Sequence, residues 1–180
     1  MASIIIYGSQ YGTAKQYAEE LARRTGVEAR RYDSISRIDQ YDTIVYIGAL
    51  YAGGVLGMKK TFAKLASCEG KTIAIATVGL ADPTDAENIS NIRDNMRRQL
   101  SSEQFHAAHL YHLRGGIDYS RLGFKHKTMM RLLCNKAKNL PEEKKNAEVR
   151  AMIETYGKQV FFIDFDALNP LAAIMQAAES

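Results

Sequence analysis

Apolar residues along this chain alternate between short continuous runs and stretches spaced at three and four residues, and that alternation repeats over roughly the first hundred positions. Ile4-Ile5-Ile6 is a β-branched run that stops at Gly8, after which Ala14, Tyr17, Ala18 and Leu21 recur at helical intervals. A strand is therefore predicted, then a helix from Gly12 to about Arg24 with Gly26 as its C′ residue. Val27–Tyr32 predicts a second strand, with Asp33 and Ser34 capping a short turn after it. Tyr41–Ala49 is almost continuously apolar, as suits a strand buried on both faces of a parallel sheet. A helix over Met58–Ala66 and a fourth strand over Lys71–Val78 follow. Thr84-Asp85-Ala86-Glu87 has capping-box spacing and opens a helix to about Leu100, and Gln104–Leu113 is the fifth strand. Strands alternating with helices predict an α/β fold with a doubly wound, five-stranded parallel sheet.

Beyond residue 113 the alternation breaks. Residues 114–158 are read as a helical insertion around strand five, with helices over about Tyr119–Ala137 and Glu142–Gly157 and Pro141 beginning the second. Val160–Ile163 is expected to return to the sheet, and a last helix over about Pro170–Ala178 is capped by Asn169. The chain, 1–180, thus reads as a single domain with an insertion at about 114–158, and 46% hydrophobic residues suffice for a sizeable core.

Charge sharpens the picture of the insertion. Segment 114–138 holds Arg114, Arg121, Lys125, Lys127, Arg131, Lys136 and Lys138 against Asp118 alone, a balance of +6 in a chain of +4, so the remaining residues sum to −2. Leu122, Phe124, Met129, Met130, Leu132 and Leu133 are interleaved with those cations. A basic amphipathic helix of this kind lies on an anionic membrane surface, offers cations to an acidic partner or substrate, or packs its apolar side on the domain and leaves a solvated basic face. Cys68 and Cys134 form neither a disulfide framework nor a zinc pattern, so a reducing, cytoplasmic setting is expected. There is no apolar run of the ~18–20 residues that span a bilayer and no signal-peptide pattern, so an integral membrane protein is not expected.

Candidate chemistry sits in three loops at strand ends. Gly8-Ser9-Gln10-Tyr11-Gly12-Thr13-Ala14 joins a strand to a helix start, where backbone N–H groups and the helix dipole favour an anion. It is neither G-x-x-x-x-G-K-[ST] nor G-x-G-x-x-G, which excludes the nucleoside-triphosphate loop and the dinucleotide fingerprint. Hydroxyls and an amide at Ser9, Gln10 and Thr13 suit an unreactive phosphate monoester. The second loop, Gly48–Gly57, carries glycines at 53, 54 and 57 that let backbone approach a flat ligand, and Tyr51 can stack on one. The third, Gly79-Leu80-Ala81-Asp82-Pro83, leaves the fourth strand. In an open α/β sheet such loops meet at the carboxyl ends of the strands, where ligands bind. His106, His109 and His112 in the expected fifth strand fall on two faces and are not expected to converge on a metal. Paired acids at the ends of strands one and three, needed by a phosphoacceptor receiver, are replaced by Gly8-Ser9 and Gly48-Ala49, so that reading is rejected.

The first loop resembles the phosphate loop of flavodoxins, and is closer still to the Gly-Ser-Gln-x-Gly-Thr-Ala form in the flavin mononucleotide (FMN) domains of diflavin reductases. The resemblance implies a flavodoxin-like sheet of order 2-1-3-4-5 and FMN as cofactor. It implies that Ser9, Gln10, Tyr11, Gly12, Thr13 and Ala14 hold the phosphate end, that Leu50, Tyr51, Ala52, Gly53 and Gly54 line the ring, and that Val78, Gly79, Leu80 and Asp82 form the other wall. The Gly53–Gly54 peptide is the expected neighbour of the ring atom protonated on reduction. Residues 79–90 lack the aromatic of many flavodoxins, so aliphatics such as Leu80 or a substrate would face that side.

The layout, with its late basic insertion, also resembles the flavin-dependent protoporphyrinogen oxidases of the flavodoxin superfamily. That implies electrons passing from a tetrapyrrole through FMN to a quinone or other acceptor, with peripheral membrane contact through the basic insert. The alternative is a flavodoxin-type electron carrier that docks to redox partners and has no substrate of its own. Such carriers steer with an acidic face, and the +6 segment speaks against that mode. No general acid or base is singled out, and no nucleic-acid partner is expected.

Overall fold

The apolar runs pair side by side because β-branched residues with no polar break can be buried on both faces of a parallel sheet. A computed structural model of the chain describes residues 2–51 and 53–179. Strands β1 (Ser3–Gly8), β2 (Ala29–Arg31), β3 (Thr43–Tyr51), β5 (Thr72–Gly79) and β6 (Ala108–Arg114) form a parallel sheet in the order β2-β1-β3-β5-β6, with a short β4 (Gly54–Val55) folded antiparallel onto the end of β3. Discounting that hairpin strand, this is the 2-1-3-4-5 order of a flavodoxin-like fold. Alternate residues feed two cores. Ile4, Ile6, Ile44, Tyr46, Ile73 and Ile75 face helices α2 (Met58–Phe62) and α3 (Ala86–Arg97). Ile5, Val45, Ile47, Ala74 and Ala76 face α1 (Thr13–Thr25) and α7 (Asn169–Glu179).

Helix α1 ends as expected, with Gly26 at φ 73° donating its N–H to the Ala22 carbonyl. Other boundaries differ for local reasons. The second strand is only Ala29–Arg31, at the sheet edge, and α2 stops at Phe62 rather than Ala66. Thr84 does not cap α3: Asp85 does, accepting from the Asn88 N–H, while Asp82 accepts from both the N–H and the hydroxyl of Thr84.

Residues 104–107, expected as strand, belong to helix α4 (Ser102–Ala107), which a complete Ser101/Gln104 capping box initiates. His106 is therefore helical, and only His109 and His112 lie in β6. Among the described residues no group of three His, Cys, Asp or Glu could hold a metal.

The segment between β6 and α7 departs most. It begins with β7 (Gly116–Asp118), passes through a 3-10 turn (Tyr119–Arg121), α5 (Phe124–Lys138), a second turn (Glu142–Lys144) and α6 (Ala147–Thr155), and ends in β8 (Gln159–Phe161). The two expected helices are thus each divided into a 3-10 turn and a shorter helix, with Asp118 capping the first turn and Asn146 capping α6 through their side chains. Val160 does not return to the main sheet: β8 pairs antiparallel with β7, with Gly116 opposite Phe161. Gly116 permits this, since a Cβ there would overlap the Val160 carbonyl oxygen. Nor does Asn169 stand ahead of α7 as its cap; it is the first residue of that helix. A 3-10 turn over Phe165–Leu168, capped by Asp164, precedes it, and its side chain accepts from Arg24 instead.

His112 is tucked between β5 and β6, with Nδ1 2.8 Å from the Thr77 hydroxyl and Nε2 buried without a partner among the described residues. Burial, helped by the positive charge of Arg93, brings its pKa down from 6.5 to about 4. Below pH 6.5 the unfolded chain therefore binds a proton that the folded chain refuses, so stability falls as pH drops from about 6.5 towards 4. The expected loss is about 1–2 kcal/mol, less than full linkage because the ring keeps some solvent contact. Urea denaturation across this range should show it, and His112→Gln should flatten the profile; an unchanged slope would assign it to other groups.

Candidate functional site

Three loops meet where β1, β3 and β5 end. Gly8 closes β1 with no side chain because a Cβ would overlap the Leu56 carbonyl oxygen, the same oxygen that accepts from the Tyr46 hydroxyl. The chain then turns through Gly12 at φ 96°, whose N–H is bound by the Ser9 Oγ at 3.1 Å. Gly12 is the N-cap of α1 and offers no side-chain acceptor, and the first turn holds no acidic residue. The leading N–H groups of α1 therefore point out of the loop uncompensated. Ser9 accepts from Gly12 and keeps its own hydroxyl proton to donate.

The neighbouring candidates are otherwise engaged. Thr13 is buried and donates its hydroxyl to the Gly116 carbonyl, while the Gln10 amide lies 2.8 Å from Nε2 of His126 on α5. Tyr11 reaches Met130 Sδ and meets the His126 ring edge-on at 5.9 Å. Its hydroxyl is pushed up to about 12 by burial, with Tyr51 nearby, and stays protonated.

The second loop is a hairpin in which Leu50 pairs with Val55 and Tyr51 with Gly54. Gly53 takes φ 79° at its tip, with open space where a Cβ would be. Gly54 is required for space, since the Gln99 side chain, which accepts from the Val55 N–H, fills the place of a Cβ. Ala52 lies outside the described residues. Tyr51 directs its hydroxyl at Met129 Sδ.

The third loop is pinned from two sides. Gly79 accepts from the Gly115 N–H at 2.6 Å, and Leu80 accepts from Arg114 Nε at 3.1 Å. The Glu148 carboxylate accepts from the N–H groups of Leu80 and Ala81.

These loops enclose a cavity of about 480 Å³, well within the roughly 300–1,000 Å³ of small-molecule sites. Ser9, Tyr11, Thr13, Ala14, Leu50, Tyr51, Gly53, Gly54, Val78, Gly79 and Leu80 line it. Gln10, Gly12 and Asp82 do not; Asp82 turns to Thr84, whose hydrogen bonds hold its carboxyl below the usual range.

Two further walls complete the cavity. Met129, Met130 and Leu133 of α5 and Met152 of α6 form an apolar side, and Asn88, Asn91 and Asn95 of α3 form an amide stripe beside Glu148. The asparagines were legible in principle, since offsets of three and seven put them on one helical face. Glu148 gave no local signal, because its role depends on how α6 docks.

A model of the flavodoxin domain matches residues 4–144, most of the chain. The chain belongs to the flavodoxin-domain family. No curated protein matches it. Solved structures similar to this flavodoxin-domain protein include a cysteine-to-alanine mutant of flavodoxin from Pseudomonas aeruginosa, 18% identical over 77% of this chain and 97% of that one, with a TM-score of 0.42. Others are a lysine-to-glycine mutant of Fusobacterium nucleatum flavodoxin bound to FMN (12% identity, 64% and 68% covered, TM-score 0.44) and oxidised flavodoxin 2 from Bacillus cereus (13%, 86% and 94%, 0.41). At these values the structural likenesses add nothing to the family match.

The two hairpin glycines should respond differently in the ligand-free protein. Gly53→Ala is expected to cost about 1 kcal/mol, for the left-handed backbone alone. Gly54→Val should cost more, about 1–3 kcal/mol, because it displaces Gln99. Chemical denaturation compares them, and equal losses would contradict the assignment.

Proposed function

We propose that the cavity holds FMN and that this flavodoxin-domain protein is an FMN-dependent redox protein. The observation that carries the reading is the bare N-terminus of α1, without capping side chain or acid, opening beside a cavity at the carboxyl edge of the sheet. In this reading the α1 N–H groups and the Ser9 hydroxyl hold the phosphate, and Tyr11, Gly12 and Ala14 shape its seat. Leu50, Tyr51, Gly53 and Gly54 border one side of the ring, and Val78, Gly79 and Leu80 border the other. FMN, when bound, supplies one- and two-electron chemistry. The chain orients the ring, shields it with Met129 and Met130, and keeps the Tyr11 phenol protonated.

More narrowly, we read the protein as a cytoplasmic oxidoreductase of the protoporphyrinogen-oxidase-like flavodoxin group, a single domain in which residues 114–158 are an insertion. Two features support an enzyme over a carrier. Helix α5 walls the cavity, as a substrate chamber requires, and its outer side is unlike an acidic carrier face. Phe124 is 85% and Leu132 62% exposed, among Lys125, Arg131 and Lys136. Such a surface suits an anionic bilayer or the carboxylates of a tetrapyrrole, with a quinone as acceptor. Among the described residues no helix is long and apolar enough to cross a membrane. The alternative remains a flavodoxin-type carrier that uses the same basic face to dock an acidic redox partner.

The purified protein should show, or gain on adding FMN, a visible flavin spectrum that survives removal of excess ligand. Ser9→Ala should weaken FMN about tenfold, the worth of one hydrogen bond to a charged group; unaltered affinity would remove Ser9 from the phosphate seat. Co-sedimentation with anionic vesicles should weaken with salt and with Phe124→Glu, and binding insensitive to both would contradict the membrane contact.

A further inference from the structure

Among the described residues that line the cavity, Glu148 is the one carboxyl. Its two oxygens each take a single backbone donor, Ala81 N–H at 3.1 Å and Leu80 N–H at 3.4 Å. Arg114, whose positive charge acts on it, makes no ion pair with it, nor does any other of the described residues. Its Nε is given to the Leu80 carbonyl and its guanidinium stacks on Phe162 at 3.8 Å.

The other surroundings are nearly neutral. Helix α3 presents Asn88, Asn91 and Asn95, α5 presents Met129, Met130 and Leu133, and Tyr11 and Tyr51 are phenols. On its own side, Lys145 and Arg150 are both paired with Glu142. Asp82, on the third loop, does not line the cavity and accepts from Thr84. Burial outweighs the two amides and Arg114, and the carboxyl is raised above the usual range.

We propose that Glu148 couples occupation of the cavity to a proton: it takes up H⁺ from solvent when a neutral aromatic ring fills the space beside it, so the site favours uncharged ring systems over anionic ones. The inference rests on the FMN reading above. Its cause is hydration. The lone pairs that the two amides leave over are free for hydration in an open cavity, and a ring that fills the cavity removes the hydration needed only by the ionised form. Binding and ionisation therefore oppose each other. Affinity for a neutral ring falls as pH rises above the free carboxyl's value, by at most about tenfold per pH unit. Glu148 is a positioning and selectivity residue in this account. It also explains the bare Gly79, since a Cβ there would collide with the Glu148 carboxylate.

Riboflavin is the probe, because it lacks the phosphate whose own ionisation would add a slope. Calorimetry in two buffers of different ionisation heat, repeated at pH steps upward from the ordinary carboxylate value, should show uptake of a substantial part of one proton per riboflavin bound. Affinity should weaken at least about threefold across that series, and Glu148→Gln should abolish both effects. No uptake by the wild type, or the same uptake in Glu148→Gln, would overturn the proposal.

Should that variant fail to fold, the infrared difference spectrum of the wild type on adding riboflavin decides. A new protonated-carboxyl band supports the proposal; uptake without the band assigns the proton elsewhere and overturns it. FMN binding without linked protons would sink this inference alone, whereas failure of both flavins to bind at any pH would remove the FMN reading with it.

Discussion

The ligand edge of this protein depends on a helix start left electrically incomplete. Asp85, Ser101 and Asn146 cap α3, α4 and α6 with their own side chains. Helices α1, α2 and α5 begin at glycines with neither a side-chain cap nor an acid in the first turn, and of these α1 is the one whose first residues line the cavity. Its orphan N–H groups are a standing cost unless water or an anion meets them. The β1–β3 pairing holds that start in place: Gly8 sits opposite Gly48, and the absence of both side chains lets Tyr46, Val55 and Leu56 close in beneath the loop.

The β7–β8 segment turns this open edge into a chamber. Its helices send methionines inward, to Tyr11 and Tyr51, and cations outward. Met130 joins Ile117 and Tyr119 in a small third core against Tyr11 and Leu80, so the wall is anchored to the first and third loops. The basic charge that dominates this part of the chain therefore does not line the cavity; Glu148 is the charged group there. A chamber with an apolar wall, an amide stripe and one mostly buried carboxyl selects by hydration and hydrogen bonding more than by net charge.

Strand order and the two-sided core were legible because β-branched runs and helical spacings each have a single cheap burial solution. The first loop was legible because its small residues stand at fixed intervals between a strand and a helix. What escaped was set by competition between local and distant partners. The Ser101/Gln104 capping box overrode the strand-like run after it, and Gly116 let β7 capture Val160 before it could rejoin the main sheet. Thr13 and Gln10 carry phosphate-binding chemistry in the sequence, yet Gly116 and His126, about a hundred residues away, engage them first. Glu148 lies in an ordinary helical stretch, and only the docking of α6 against the third loop gives it a role.

A single ligand in this chamber must touch all three loops and the α5 wall together, which amide hydrogen exchange of the whole protein with and without FMN would test. Slower exchange at residues 9–14, 50–55 and 79–82, together with 124–134, is the predicted result. Protection confined to one loop, or appearing on another face of the sheet, would contradict it.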